Sequence, residues 1–326
     1  MEFSSRNIRT WSRLGSCGAF GAAAIELGAV KQDLAVLTAD LCFYSGLGHF
    51  KKSYPDRLYN VGIAEQNMIG VAAGMAKEGM NVFATTYATF ASTRCCDQVR
   101  VNMGYMKLPI KLVGLTSGLS VGILGGTHIS CEDVAIMRAI PNITILSPAD
   151  TTETVKAVLA AADYNEPVYL RLSGGLNNPV VYEQDYSFEI GKGIELRRGK
   201  DIALIATGTM VFTALKAAEE LEKTGISCRV IDIHTIKPLD ERLVKSCIQC
   251  KLIVTMEEHS IIGGLGSAVA ELLSGEKNCP PQEIIGIGDE FKHAAEYEYL
   301  ISEYGLDVMS VVERVRKKYE RTVGVG

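Results

Sequence analysis

Residues 143–172 read ITILSPADTTETVKAVLAAADYNEPVYLRL, and this stretch decides the fold. Ile143 to Leu146 is a short, mostly β-branched apolar run that reads as a buried strand. Pro148-Ala-Asp150 takes the chain out of the strand and places Asp150 as a helix N-cap ahead of Thr151. Thr151 to Asp163 has helical length and spacing. Val168 to Leu172 is a second apolar run after Pro167. A strand, a helix and a strand in succession form a βαβ unit, and its two strands lie parallel.

The alternation continues outward from this unit. Upstream, strand-like runs at Leu34 to Thr38, Val82 to Thr86 and Ile110 to Thr116 alternate with helical segments at Ala64 to Lys77, Ala91 to Met106 and Cys131 to Ala139. Between Ser173 and Gly199 the pattern fades into turn-rich sequence. It resumes with strands at Ile202 to Ala206, Ser227 to Ile233, Leu252 to Met256 and Ile284 to Ile287. Helices at Val211 to Thr224, Leu239 to Ile248, Leu265 to Leu273 and from Ala295 onward separate and close them. The expected fold is α/β, with two doubly wound domains at 1–175 and 193–326 and a linker at 176–192. A chain of 326 residues fits that count.

Composition narrows the function. Apolar residues make up 47% and charged residues 22%, a core-forming balance. With 33 Lys and Arg against 38 Asp and Glu, the net charge is −5, and no basic block is present to grip phosphates, so no nucleic-acid partner is expected. No apolar run reaches the ~18 to 20 residues that span a bilayer, and no membrane partner is expected. The apolar stretch Cys17 to Val30 contains Glu26 and does not read as a signal peptide. Nine cysteines without a disulfide framework fit a reducing, cytoplasmic setting. The lone Cys247-Ile-Gln-Cys250 reads as ordinary helix-end cysteines, and no metal site is expected on this chain.

Motifs for phosphate loops are absent. There is no GxxxxGK[ST], and Gly263-Gly264-Leu-Gly266 lacks the third glycine of a dinucleotide fingerprint, so it reads as a tight helix entry. Val61-Gly-Ile-Ala-Glu65-Gln-Asn67 stands out, because a carboxyl group opens a strongly apolar helix. Two readings stay open for it. Glu65 can simply favour the positive helix N-terminus. Alternatively it lies in a dry pocket, where desolvation disfavours the charged form and keeps a proton ready for a ring nitrogen.

VGIAEQN, with TTYATFASTR, GGTHIS, PNITILSPAD and EPVYLRL in the same order, resembles the thiamine-diphosphate transketolase family, in particular the C-terminal subunit of a split transketolase. The resemblance covers nearly the whole chain. It implies a pyrimidine-binding domain followed by a transketolase C-terminal domain. It further implies transfer of a two-carbon ketol unit from a ketose to an aldose-type acceptor. Glu65 matches the glutamate that contacts the aminopyrimidine ring nitrogen of the cofactor. Phe90 matches the aromatic residue that stacks on that ring, and Tyr87 a second aromatic position of the pocket. Asp40 and Leu41 match a segment lining it. His128 matches a histidine that hydrogen-bonds the substrate oxygen and helps move protons. Met256 to Gly264 matches a segment used for subunit association, and no chemistry is assigned to His234, His259 or His293.

The departures from the family pattern carry information. Gly122-Ile123-Leu124-Gly125 stands where many members have Gly-Glu-Asp-Gly, so Leu124 replaces an aspartate that would hold a substrate hydroxyl. Thr116 stands where a second histidine is usual. Gly174 stands at the position of a sugar-phosphate arginine, with Arg171 nearby. Phe43-Tyr44 displaces a serine, with Ser45 next to it. These changes imply a substrate that is not a standard sugar phosphate, or one whose phosphate another group holds. The family's Gly-Asp-Gly segment for Mg²⁺ and diphosphate is missing, since Gly288-Asp289-Glu290 lies too near the end. The expectation is therefore an N-terminal, diphosphate-binding partner subunit that binds most of the Mg²⁺, a heterotetramer, and little activity alone. The β subunit of a 2-oxo acid dehydrogenase and a deoxyxylulose-phosphate-synthase-like enzyme share the glutamate and the fold. A non-catalytic assembly subunit is the alternative of another class.

Overall fold

A computed structural model describes residues 1–324. The first part of the chain contributes β1 (Leu34–Thr38), β2 (Leu58–Asn60), β3 (Asn81–Tyr87), β4 (Lys111–Ser117), β5 (Thr144–Leu146) and β6 (Val168–Ser173). The second contributes β7 (Ile194–Arg197), β8 (Ile202–Ala206), β9 (Cys228–Asp232), β10 (Thr235–Lys237), β11 (Leu252–Ser260) and β12 (Gln282–Ile287). They form a seven-stranded sheet ordered β10-β5-β6-β4-β3-β1-β2 and a five-stranded sheet ordered β12-β11-β8-β9-β7. All pairings are parallel except β10 with β5 and β7 with β9.

Strand β1 shows why the first sheet is covered on both faces. Leu34 and Val36 pack with Phe20, Ala23 and Ala24 of the Ser5–Val30 helix and with Val158 and Ala161 of the Thr151–Asp163 helix. Ala35 and Leu37, on the opposite face, pack with Met68, Ile69 and Ala72 of the Glu65–Lys77 helix. Alternate residues of one strand thus feed two apolar layers, as a parallel sheet wrapped by crossover helices requires. Asp150 caps the Thr151–Asp163 helix as read, accepting from the Glu153 amide at 2.8 Å.

The structure departs from the sequence reading in places. Ala91 to Met106 is not one α-helix. It opens in a π-helical turn, Phe90–Arg94, passes through Cys96–Val99 and widens again at Arg100–Tyr105. The helix read at Leu239 to Ile248 shortens to Glu241–Lys245 with a 3₁₀ turn after it. Strands β2, β7 and β10, each three or four residues long, go beyond the sequence reading. Strand β10 leaves the second part of the chain to pair with β5 of the first sheet. The 176–192 stretch is also tied down. Asp150 accepts the Val181 and Tyr182 amides, the Tyr182 hydroxyl donates to Asp232 at 2.6 Å, and the Tyr186 hydroxyl donates to Glu153 at 2.8 Å.

Between the two sheets, Arg171 on β6 is almost fully buried. Its Nε donates to Asp133 Oδ2 at 2.9 Å and its Nη2 to the Glu258 carbonyl on β11 at 2.9 Å. Glu258 in turn accepts from the Leu119 amide, the Thr209 hydroxyl and the Tyr297 hydroxyl at 2.6, 2.5 and 2.8 Å. Burial pushes the Glu258 carboxyl above its usual range, and these donors act against that.

Candidate functional site

The strand order places a crevice in the first sheet. The chain runs from β1 outward to β2 on one side, then crosses back to β3 on the other. At such a reversal the loops leaving the carboxyl ends of the two strands part, and a ligand site opens there. The ends in question are Thr38, running into Asp40 and Leu41, and Tyr87, running into Phe90. In the sheet Thr38 lies beside Thr85, so both loops leave at the same level. The β4 end adds the loop that leads to His128.

Three of the candidate side chains meet ring to ring. Tyr87 and Phe90 lie 6.0 Å apart, Tyr87 and His128 5.7 Å, and Phe90 and His128 5.4 Å, all edge-on. His128 is held by Thr127, whose Oγ1 is 2.9 Å from Nδ1. Burial raises the Tyr87 hydroxyl above its usual range, and the neighbouring Tyr44 and Cys17 reinforce this, so it stays protonated at neutral pH.

Glu65 opens the Glu65–Lys77 helix at its positive end, and its side chain is 3% exposed. The burial agrees with the dry-pocket reading, but the surroundings are not purely apolar. Glu65 Oε1 accepts from Arg94 Nη1 at 2.8 Å. The same guanidinium lies over Phe90, 3.9 Å from the ring centroid. The wide π-helical turn Phe90–Arg94 sets this geometry, closed by the Cys95 amide on the Phe90 carbonyl at 3.3 Å. Gln66 Nε2 then holds the Arg94 carbonyl at 3.1 Å. Arg94 is a site residue that the sequence reading missed, although its four-residue spacing from Phe90 was a signal that the two share a face.

Asp40 and Leu41 are placed differently. Asp40 is exposed, with φ of 60°. Its amide donates to Asn60 Oδ1 at 3.1 Å and its Oδ1 accepts from Asn60 Nδ2 at 2.8 Å. The Leu41 amide donates to Thr38 Oγ1 at 3.0 Å. Their hydrogen bonds run to β2 and β1 and not to the aromatic cluster. Asn60 is a second residue missed from sequence.

A flat, hydrogen-bond-donating group thus already sits on the Phe90 face and on the Glu65 carboxylate. That arrangement suits an aminopyrimidine, a flat heterocycle that needs one apolar face and one acceptor or donor at its edge. At the rim, Ile123 and Leu124 are exposed. Gly174 has φ of 80°, and a β-carbon there would come within 2.7 Å of Asn178 Nδ2. Arg171, the nearby cation, is enclosed by Asp133 and Glu258 and does not face the crevice. The Gly263–Gly266 turn holds the protein's own carboxylate, since the Leu265 and Gly266 amides donate to Glu257 at 2.7 and 2.8 Å. His234 and His259 are buried. Among the described residues, no helix is long and apolar enough to cross a membrane.

Comparison with known proteins identifies the family of both domains. Residues 16–179 match the family described as transketolase, pyrimidine binding domain, and residues 191–311 that described as transketolase, C-terminal domain. Both are domains of thiamine-diphosphate-dependent enzymes. The chain is 41% identical to the 6-deoxy-6-sulfo-D-fructose transketolase subunit SqwH of a Clostridium species, covering 90% of this chain and 91% of that one. It is 40% identical to an apulose-4-phosphate transketolase subunit of Phocaeicola vulgatus, covering 87% and 90%. A solved structure described as an inactive beta4 tetramer of a split-gene transketolase superposes with a TM-score of 0.86 at 40% identity, covering 93% of this chain and 98% of that chain. The chain belongs to the transketolase family and carries its pyrimidine-binding and C-terminal domains.

Proposed function

We propose that this chain is the pyrimidine-binding subunit of a heteromeric, cytoplasmic transketolase that moves a two-carbon ketol unit between sugars. The pairing of a buried Glu65 with the face of Phe90 at the β1/β3 crevice supports this reading most. Thiamine diphosphate, when bound, supplies the nucleophilic carbon that cleaves and re-forms the carbon–carbon bond. Glu65 hydrogen-bonds the ring nitrogen of the aminopyrimidine and sets its tautomer. Phe90 carries the ring, with Tyr87 fixing the Phe90 edge, and Asp40 and Leu41 close the β1 wall. His128 holds the substrate oxygen and moves a proton to or from it, an effect of about 10²–10⁴ in rate for a well-placed group. The diphosphate and its Mg²⁺ are held mainly by a partner subunit, and two copies of each subunit make the working assembly.

The substrate reading follows from the rim. Leu124 and Ile123 offer no charge to a hydroxyl or phosphate, Gly174 carries no side chain and its φ of 80° disfavours one, and Arg171 is committed to the junction between the sheets. The SqwH relative is named for a sulfonated sugar. We therefore infer a ketose or aldose other than the usual pentose phosphates. The test is product analysis with the complex co-purified from its native source, across phosphorylated, sulfonated and unmodified sugars. A new sugar two carbons longer supports ketol transfer, while carbon dioxide released from a 2-oxo acid supports the dehydrogenase or synthase reading. Ordinary turnover of xylulose 5-phosphate with ribose 5-phosphate contradicts the substrate inference. Full turnover by an E65A complex contradicts the catalytic reading in favour of an assembly role.

A further inference from the structure

Resting on the functional reading above, we propose that Arg94 is a resident competitor for the cofactor's ring site and must leave it before the aminopyrimidine can bind. Four observations meet at this side chain. Its guanidinium is planar and donates to Glu65 Oε1 at 2.8 Å. It lies 3.9 Å over the centroid of Phe90. A ring bound between Phe90 and Glu65 would need that same face and that same carboxylate. The backbone beneath it is a π-helical turn whose carbonyl at Arg94 is pinned by Gln66, so the side chain and not the backbone is the moving part. The side chain of Arg94 is 44% exposed while that of Glu65 is 3% exposed, so one partner can swing into water while the other stays fixed.

The arrangement answers a physical need. A buried carboxylate left without a donor is costly, and a subunit without cofactor would carry that cost in its crevice. Arg94 gives Glu65 a donor and covers the Phe90 face that the ring would take, so the slot is held open in the subunit without cofactor. When the ring enters, Arg94 moves outward. Asp97, exposed on the short Cys96–Val99 helix that follows, is a nearby carboxylate in sequence for the freed cation. The displaced contacts are one half-exposed ion pair and one cation–π contact, both modest in strength.

The test is calorimetric titration of thiamine diphosphate, with Mg²⁺ present, into the cofactor-stripped complex carrying the wild-type chain, R94A, R94Q or E65A. Gel filtration confirms that each variant keeps its partner. R94A and R94Q are expected to bind the cofactor about tenfold more tightly, the loss of one weak competitor. Unchanged or weaker binding by both arginine variants, while E65A binds poorly, overturns the competitor and leaves the functional reading intact. Unchanged binding by E65A overturns the functional reading itself.

Discussion

Replacing Arg171 by Met tests whether this cation serves the junction between the sheets. Arg171 and Asp133 are 1% and 0% exposed, and the pair closes at 2.9 Å. In R171M the Asp133 carboxylate keeps only the Tyr169 hydroxyl, at 2.8 Å, because its other oxygen has no hydrogen-bond partner among the described residues. The Glu258 carbonyl on β11 also loses its donor. Breaking one side of a buried pair costs about 3–5 kcal/mol, because the other charge stays buried. That is on the order of a hundredfold to a few thousandfold in the folding equilibrium. Urea unfolding of the isolated chain, followed by circular dichroism, reads the loss. Removing both charges, as in R171M with D133N, is expected to recover a large part of it. A single variant within about 1 kcal/mol of wild type, or a double variant no better than the single, refutes the junction role.

Three further outcomes are expected. H128A lowers kcat of the complex by about a hundredfold or more while changing cofactor affinity less, and a loss confined to cofactor affinity contradicts the proton-handling role. Burial pushes the His234 imidazole down to about 4 from 6.5. It stays neutral in the folded chain while the unfolded chain takes up a proton, so its stabilising contribution is complete above 6.5 and is lost as pH falls toward 4. The stability difference between wild type and H234N should therefore change by up to about 3 kcal/mol across that window, and a flat difference refutes the assignment. In G21A the added β-carbon collides with the Gly46 carbonyl beside the Phe43-Tyr44 loop. Overpacking of this kind costs about 1–3 kcal/mol, and an unchanged melting temperature contradicts the close packing.

How far the sequence reveals this molecule depends on the kind of contact. The βαβ unit at 143–172 is legible because its 13-residue helix shows its period and its apolar strands are bounded by Pro148 and Pro167, and Asp150 caps the helix as the pattern suggests. Strand β10 is not, because its place beside β5 depends on a partner far away in the chain. The π-helical turn at Phe90 is invisible for a different reason, since the residue types of an α-helix also suit it. At the site, residue chemistry alone nominated Glu65, and the family resemblance brought Phe90, Tyr87, His128, Asp40 and Leu41. Arg94 escaped because a charged residue on a helical segment reads as a solvated face, whereas here it lies on Phe90 and Glu65. Arg171 shows the converse. Near a ligand-binding position in sequence, it turns inward once β6 and β11 come together.

The most direct measurement is a crystal structure of the co-purified complex with thiamine diphosphate bound. The account predicts the aminopyrimidine over Phe90, a Glu65 oxygen on its ring nitrogen and the Arg94 guanidinium turned out of the slot. A ring lodged wholly within the partner subunit, with Glu65 and Phe90 untouched, contradicts it.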